Sequence, residues 1–125
     1  MIFKLLVVAF GGSIGAVLRF LMYEWIEKLH HSDFPWATIT VNLLGSLAIG
    51  FLWGYFSRNY VSPAVRVMIF IGILGSFTTF STFAFDNFSL LKDGHITLMT
   101  VYVLASNILA VFLCIGGYQL AKVVG

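Results

Sequence analysis

Charge is what this sequence has least of. Of its 125 residues, 10% are Asp, Glu, Lys or Arg while 60% are hydrophobic, and the mean hydropathy is +0.99. A soluble domain is usually about 25% charged and about 45–50% apolar, so there are too few polar groups to cover a water-facing surface. Lipid is the solvent that suits such a composition. The net charge is only +2, with no cluster of Lys and Arg, which excludes a nucleic-acid-binding surface. Cys114 is the single cysteine. No intrachain disulfide can therefore form, no thiolate metal site is implied, and within an apolar stretch the residue reads as a small core side chain. Carboxylates are missing from the middle of every long apolar run: Glu24, Glu27, Asp33, Asp86 and Asp93 all fall near run ends. A small multidrug or cation exchanger, which trades protons against a cationic substrate at a buried acid, is disfavoured by that absence.

What is present divides into four apolar segments. A membrane-spanning helix needs about 20 largely apolar residues. The first candidate runs from Ile2 to Leu21, with Arg19 near its far end, followed by a polar stretch from Glu24 to Asp33. Lys4 and the apolar residues after it resemble a signal peptide, but no small-residue cleavage site precedes Arg19 and three longer segments follow. The second helix is expected from Trp36 to Phe56, with Asp33 as N-cap and Pro35 in the first turn. Ser62-Pro63 makes another cap-plus-proline start for a third segment, Ala64 to Leu91, too long and irregular for one plain helix. Lys92-Asp93-Gly94-His95 reads as a turn, and a fourth helix follows from Ile96 to Leu120. Loops this short leave room for one domain, residues 1–125.

An even number of spans places both termini on one side. That side carries Lys4, Arg58, Arg66 and Lys122, and the other carries Arg19, Lys28 and Lys92. Orientation follows the Lys/Arg imbalance between loops, and four against three is almost no imbalance. Either the flanking charge does not report a fixed orientation, or the chain inserts both ways and pairs antiparallel. A lone four-helix bundle of this size hardly encloses a permeation path, which favours at least a dimer. Gly11 with Gly15 and Gly50 with Gly54 both read G-x-x-x-G, a spacing that allows close helix approach.

The third segment departs most from lipid-facing chemistry. From Gly72 to Phe83 it reads GILGSFTTFSTF, with hydroxyls at Ser76, Thr78, Thr79, Ser81 and Thr82. Non-helical backbone at membrane depth survives only within protein or beside water, and broken helices bring carbonyls or helix ends to an ion. An interruption is therefore expected near Gly75 to Thr79. Phe77, Phe80 and Phe83 recur every third residue, on one helical face. An aromatic ring has a negative face and a positive edge, so such rings line an anion path edge-on or attract cations face-on. Asn42 lies inside the second helix, where its amide serves either as glue between helices or as a pair of donors for an anion. Ser106 and Asn107, with Tyr102 one turn earlier, form a similar polar group in the fourth. Arg19 reads first as a residue that snorkels to the interface.

Three stretches together resemble the Fluc-type fluoride channels, also called the CrcB family: Gly11 to Arg19 (GGSIGAVLR), Thr38 to Gly45 (TITVNLLG), and above all Gly75 to Phe83 (GSFTTFSTF). The resemblance covers the whole chain. It implies an all-α membrane protein that works as an antiparallel, dual-topology homodimer with two fluoride pores, in the plasma (inner) membrane of a bacterium. It further implies a structural Na⁺ at the dimer interface, held by the backbone carbonyls of Gly75 and Thr78. By the same resemblance Phe80 and Phe83 are the pore aromatics with their edges toward fluoride, and Asn42 is the pore amide. Ser81 and Thr82 would lie by a polar track toward Tyr102 and Ser106, and Arg19 matches the arginine of the first helix. The family's further serine one turn beyond Ser106 is Ala110 here. Without any nucleotide or redox motif, the implied activity is passive export of fluoride by a channel, not an enzyme.

Overall fold

The computed structural model describes residues 1–125, the whole sequence. It is all-helical, with four helical segments long and apolar enough to cross a membrane. Helix α1 is Ile2–Leu29 and α2 is Trp36–Phe56; the third span comprises α3 (Pro63–Val67), a π-helical stretch (Met68–Ile73), α4 (Leu74–Phe77) and α5 (Phe80–Lys92); α6 is Ile96–Val124. Between α4 and α5, Thr78 (φ −86°, ψ 157°) and Thr79 (φ −149°, ψ 123°) are extended. Gly75 itself is helical.

Local chemistry accounts for most of the boundaries. Ser62 caps α3 by accepting a hydrogen bond from the Val65 N–H, and Pro63 follows in the first turn, where its missing N–H costs nothing. The turn between α5 and α6 depends on Gly94, whose φ of 81° suits a residue without Cβ. Three expectations fail. Helix α1 does not stop at Leu21 but continues through Glu24, Glu27 and Lys28 to Leu29, because polar residues end a lipid-facing surface without ending a helix. Asp33 does not cap α2: Pro35 holds the cap position with no side-chain bond, and Asp33 instead lies 3.5 Å from His95 Nε2. Helix α6 likewise runs past Leu120 to Val124.

The spans run up, down, up and down. Tyr23 near the end of α1 meets Thr38 near the start of α2, and Asp86 in α5 meets Tyr102 in α6, so chain neighbours are antiparallel. Two pairs are parallel and close. A Cβ on Gly11 would sit 2.6 Å from the Met68 carbonyl, and one on Gly15 would collide with Ser76 Oγ and the Ile73 carbonyl, so α1 lies backbone to backbone on the third span. A Cβ on Gly50 would collide with the Cys114 carbonyl, which joins α2 to α6 the same way. Both G-x-x-x-G pairs are thus consumed within the chain.

Little else is enclosed. Only 19 of 125 residues are buried, while Phe10, Phe20, Val111, Phe112 and many like them are exposed. At about 25 cal/mol per Å² such a surface is unfavourable in water and at home among acyl chains, so this is a multi-pass membrane protein. The one apolar cluster, Ile39, Leu90 and Tyr102 backed by Phe34, Leu43 and Phe83, braces α2, α5 and α6 near the acidic end.

Candidate functional site

The centre of the site is a single amide. Asn42, projecting from α2, donates through Nδ2 to the Thr79 carbonyl (3.0 Å) and accepts through Oδ1 from the Thr79 N–H (2.8 Å). Two hydrogen bonds from one side chain thereby satisfy both backbone groups of an extended residue at membrane depth, where each orphan would cost several kcal/mol. The Thr79 N–H is the group that a continuous helix would have sent to the Gly75 carbonyl. Thr78, the other extended residue, has a carbonyl that accepts no hydrogen bond from the chain.

Thr79 is also the N-cap of α5. Its Oγ1 accepts from the Thr82 N–H (3.2 Å), donates to Thr82 Oγ1 (3.2 Å) and lies 3.4 Å from Ser81 Oγ. The hydroxyls at 79, 81 and 82 therefore form one small network at the start of a helix. The first N–H groups of a helix lack intrahelical partners and carry partial positive charge, whereas the last carbonyls of the preceding one are partly negative. Two helix ends of opposite sign meet within two residues. No ionised side chain is among the residues around the cavity of about 350 Å³ that opens beside them, lined by Asn42, Ser46, Gly75, Thr78, Thr79 and Phe80 among others.

An aromatic ladder leads away from this point. Phe80 is 78% exposed, and its ring centre lies 5.6 Å from that of Phe83. Phe83 lies 4.9 Å from Tyr102, and Tyr102 meets Phe34 edge-on at 5.6 Å. Tyr102 is completely buried and its hydroxyl donates to Asp86 Oδ2 (2.9 Å). One turn further along α6, Ser106 is buried and its Oγ finds no partner within the chain. Buried hydroxyls are seldom left so.

The sequence-predicted residues separate into two places. Asn42, Gly75, Thr78 and Phe80 surround the cavity, with Ser81 and Thr82 tied to it through Thr79; Phe83, Tyr102 and Ser106 continue across α5 and α6. Arg19 lies outside the first cavity, half-buried in another of about 380 Å³ with Tyr23, Glu24, Glu27 and Thr82, the last of which bonds to Thr79. One residue went unnoticed. Tyr23 Oη lies 2.6 Å from Thr38 Oγ1, and Asp86 shares with both a polar mouth of about 420 Å³ that also reaches His30, His31 and Asp33. Thr38 stood in a quoted motif and Asp86 among the acids near run ends, but nothing in the sequence singled out Tyr23. Sequence had left Asn42 between glue and pore donor; the glue is visible, and one of its two N–H donors is not used by it.

A profile described as CrcB-like protein, Camphor Resistance (CrcB), matches residues 6–118. A protein of Nitrobacter hamburgensis named fluoride-specific ion channel FluC 1 is 41% identical over 120 residues, 95% of this chain and 95% of its own. Proteins of Aquifex aeolicus and Hahella chejuensis, each named fluoride-specific ion channel FluC, are 39% and 37% identical over 92% and 96% of this chain and 94% and 95% of theirs. A match of that extent places this chain in the CrcB family of fluoride channels, which are channels and not enzymes.

Proposed function

We propose that this chain forms a channel selective for fluoride, which leaves the cytoplasm through it passively. Fluoride is small and strongly hydrated, so a pore must replace its water with several close donors that bind without trapping. The observation that carries this reading is the amide of Asn42 in an uncharged cavity at a helix N-terminus, joined through Thr79 to the hydroxyls of Ser81 and Thr82 and next to a run of aromatic rings. The spare N–H of Asn42, the hydroxyls and the positive edges of Phe80 and Phe83 serve an anion there. The unpartnered Ser106 hydroxyl and Tyr102 extend the polar track along α6. Family kinship supports the choice of anion, since the relatives are named for fluoride.

The working unit we infer is an antiparallel, dual-topology homodimer in the inner membrane of a bacterium. The cavity beside Phe80 opens on the surface of the single chain and holds the amide of Asn42 and the unbonded Thr78 carbonyl, polar groups that are poorly shown to lipid and suitably closed over by a second copy. The near-equal Lys/Arg counts at the two ends agree with insertion in both directions. The extended pair Thr78–Thr79 is, in this reading, the interruption of the third span. Its free Thr78 carbonyl, and the Gly75 carbonyl deprived of the Thr79 N–H, fit a hard cation that prefers oxygen ligands. A structural Na⁺ held by Gly75 and Thr78 would supply a fixed positive potential and cross-link two copies.

Fluoride efflux from liposomes containing the purified protein, read with a fluoride electrode and compared with chloride efflux, tests the proposal. Rapid fluoride release without chloride release is the expected outcome. No fluoride release from a folded, Na⁺-supplied dimer would overturn it.

A further inference from the structure

The two ends of this molecule differ in a way that ion conduction does not use. All five acids, Glu24, Glu27, Asp33, Asp86 and Asp93, lie toward one end. The other end, made by the start of α1, the 57–62 link, the start of α3 and the end of α6, carries Lys4, Arg58, Arg66 and Lys122 and no acid. We infer that this basic end is a binding site for the phosphate headgroup of an anionic phospholipid.

The two arginines are held in place by backbone. Arg58 Nη1 donates to the Lys122 carbonyl at the end of α6 (2.8 Å), bridging the link to that helix. Arg66 Nη2 donates to the Phe56 carbonyl at the end of α2 (2.6 Å), its Nε lies 3.4 Å from the Val61 carbonyl, and its guanidinium rests 5.6 Å from the Phe56 ring centre. These bonds cap helix C-termini, where cations are favoured, and they fix side chains that otherwise lose much rotamer freedom on binding. A guanidinium has five N–H donors. Arg58 uses one and Arg66 two on carbonyls, and no carboxylate takes up the remainder. Lys122 adds a charge beside the Tyr118 ring (5.1 Å). Rigid forks with unfilled donors suit phosphate, which they grip bidentately.

Depth selects a lipid over a free ion. The cluster sits where the apolar spans end, among Trp53, Tyr55 and Tyr60, all exposed, the residue types that mark the headgroup layer. A phosphate tethered at that height meets the guanidiniums without leaving its bilayer, and each basic residue near an anionic leaflet strengthens attachment about fivefold.

Native mass spectrometry of the full-length protein in detergent, titrated separately with phosphatidylglycerol, phosphatidylcholine and inorganic phosphate, is the test. Phosphatidylglycerol should bind at least about tenfold more tightly than phosphatidylcholine, and inorganic phosphate at equal concentration should not displace it. Arg58→Gln with Arg66→Gln should weaken phosphatidylglycerol binding about 25-fold, while Lys28→Gln at the opposite end should leave it unchanged. Should the double arginine variant misfold for want of its caps, Lys4→Gln with Lys122→Gln removes two charges that cap nothing and should weaken binding by a similar factor. Equal binding of the two lipids, or undiminished phosphatidylglycerol binding in the lysine pair, overturns the inference. Displacement by inorganic phosphate overturns the lipid in favour of a soluble anion.

Discussion

Asn42 commits one donor and one acceptor to the backbone of Thr79, and its substitutions separate structure from conduction. Asn42→Ala leaves the Thr79 N–H and carbonyl unpaired, at a cost of about 1–3 kcal/mol for each group, and should lower the thermal midpoint in detergent measurably. Asn42→Asp keeps the acceptor for the Thr79 N–H but loses the donor and brings a carboxylate to the cavity. It should unfold later than the alanine variant yet pass no fluoride, and wild-type efflux from Asn42→Asp would exclude the amide as a pore donor. Phe80→Ile and Phe83→Ile probe the ring edges. Phe80 is largely exposed in the single chain, so its loss should cut fluoride efflux while the protein stays folded, and normal efflux in both variants would count against any role for the rings. The residues of the candidate site stood out in the sequence by chemistry odd for lipid, as with Asn42, or by spacing, as with Phe80 and Phe83. The bond between Asn42 and Thr79 was not legible, because it joins residues 37 apart that no local pattern relates. Tyr23 was missed for the opposite reason: a tyrosine near a helix end is ordinary until its hydroxyl is seen beside Thr38.

Among the elements, the bounds of α2 and the punctuated starts of the third and fourth spans were read correctly, whereas the cap of α2 and the ends of α1 and α6 were not. Ser62-Pro63 and Gly94 constrain φ directly, and the helix start and turn are where they were expected. The ends of α1 and α6 were placed too early, since hydropathy reports where lipid stops and α-helical hydrogen bonding carries on regardless. The π-helical stretch at Met68–Ile73 left no mark beyond the segment's excessive length. Close helix pairing yields a matched comparison. Gly50→Ala forces a methyl into the Cys114 carbonyl and should destabilise the protein by about 1–3 kcal/mol, whereas Gly116→Ala, with nothing within 4 Å of the added carbon, should stabilise it by about 0.5–1 kcal/mol. Chemical denaturation in mixed micelles measures both, and equal effects would mean that α2 and α6 do not approach as described.

At the scale of the whole molecule, the four-helix architecture followed from composition and the short loops, and the proposed second copy rests on the small size of one bundle, the near-equal basic charge of its two ends and the family resemblance. If the chain inserts in both directions, a C-terminal tag should be reached by impermeant label from both sides of the membrane in comparable amounts. Adding three lysines at the C-terminus should fix one orientation and abolish fluoride efflux, and co-expression with an oppositely biased copy should restore it. Efflux that survives uniform orientation would exclude the antiparallel dimer. Prolonged dialysis against Na⁺-free buffer should likewise abolish efflux if Gly75 and Thr78 hold the ion, and K⁺ should not substitute.

The pairing of Asn42 with Thr79 also has a bearing on how the protein is made. A ribosome delivers α2 before the third span, so the amide is already in the bilayer when the Thr78–Thr79 peptide arrives with an N–H and a carbonyl that no helix is using. Earlier chain thus acts as a template for later chain. Truncated nascent chains ending before Ala37 followed by a separately supplied third span should find no such template, and the hydroxyl-rich segment should then insert as a plain helix or fail to insert.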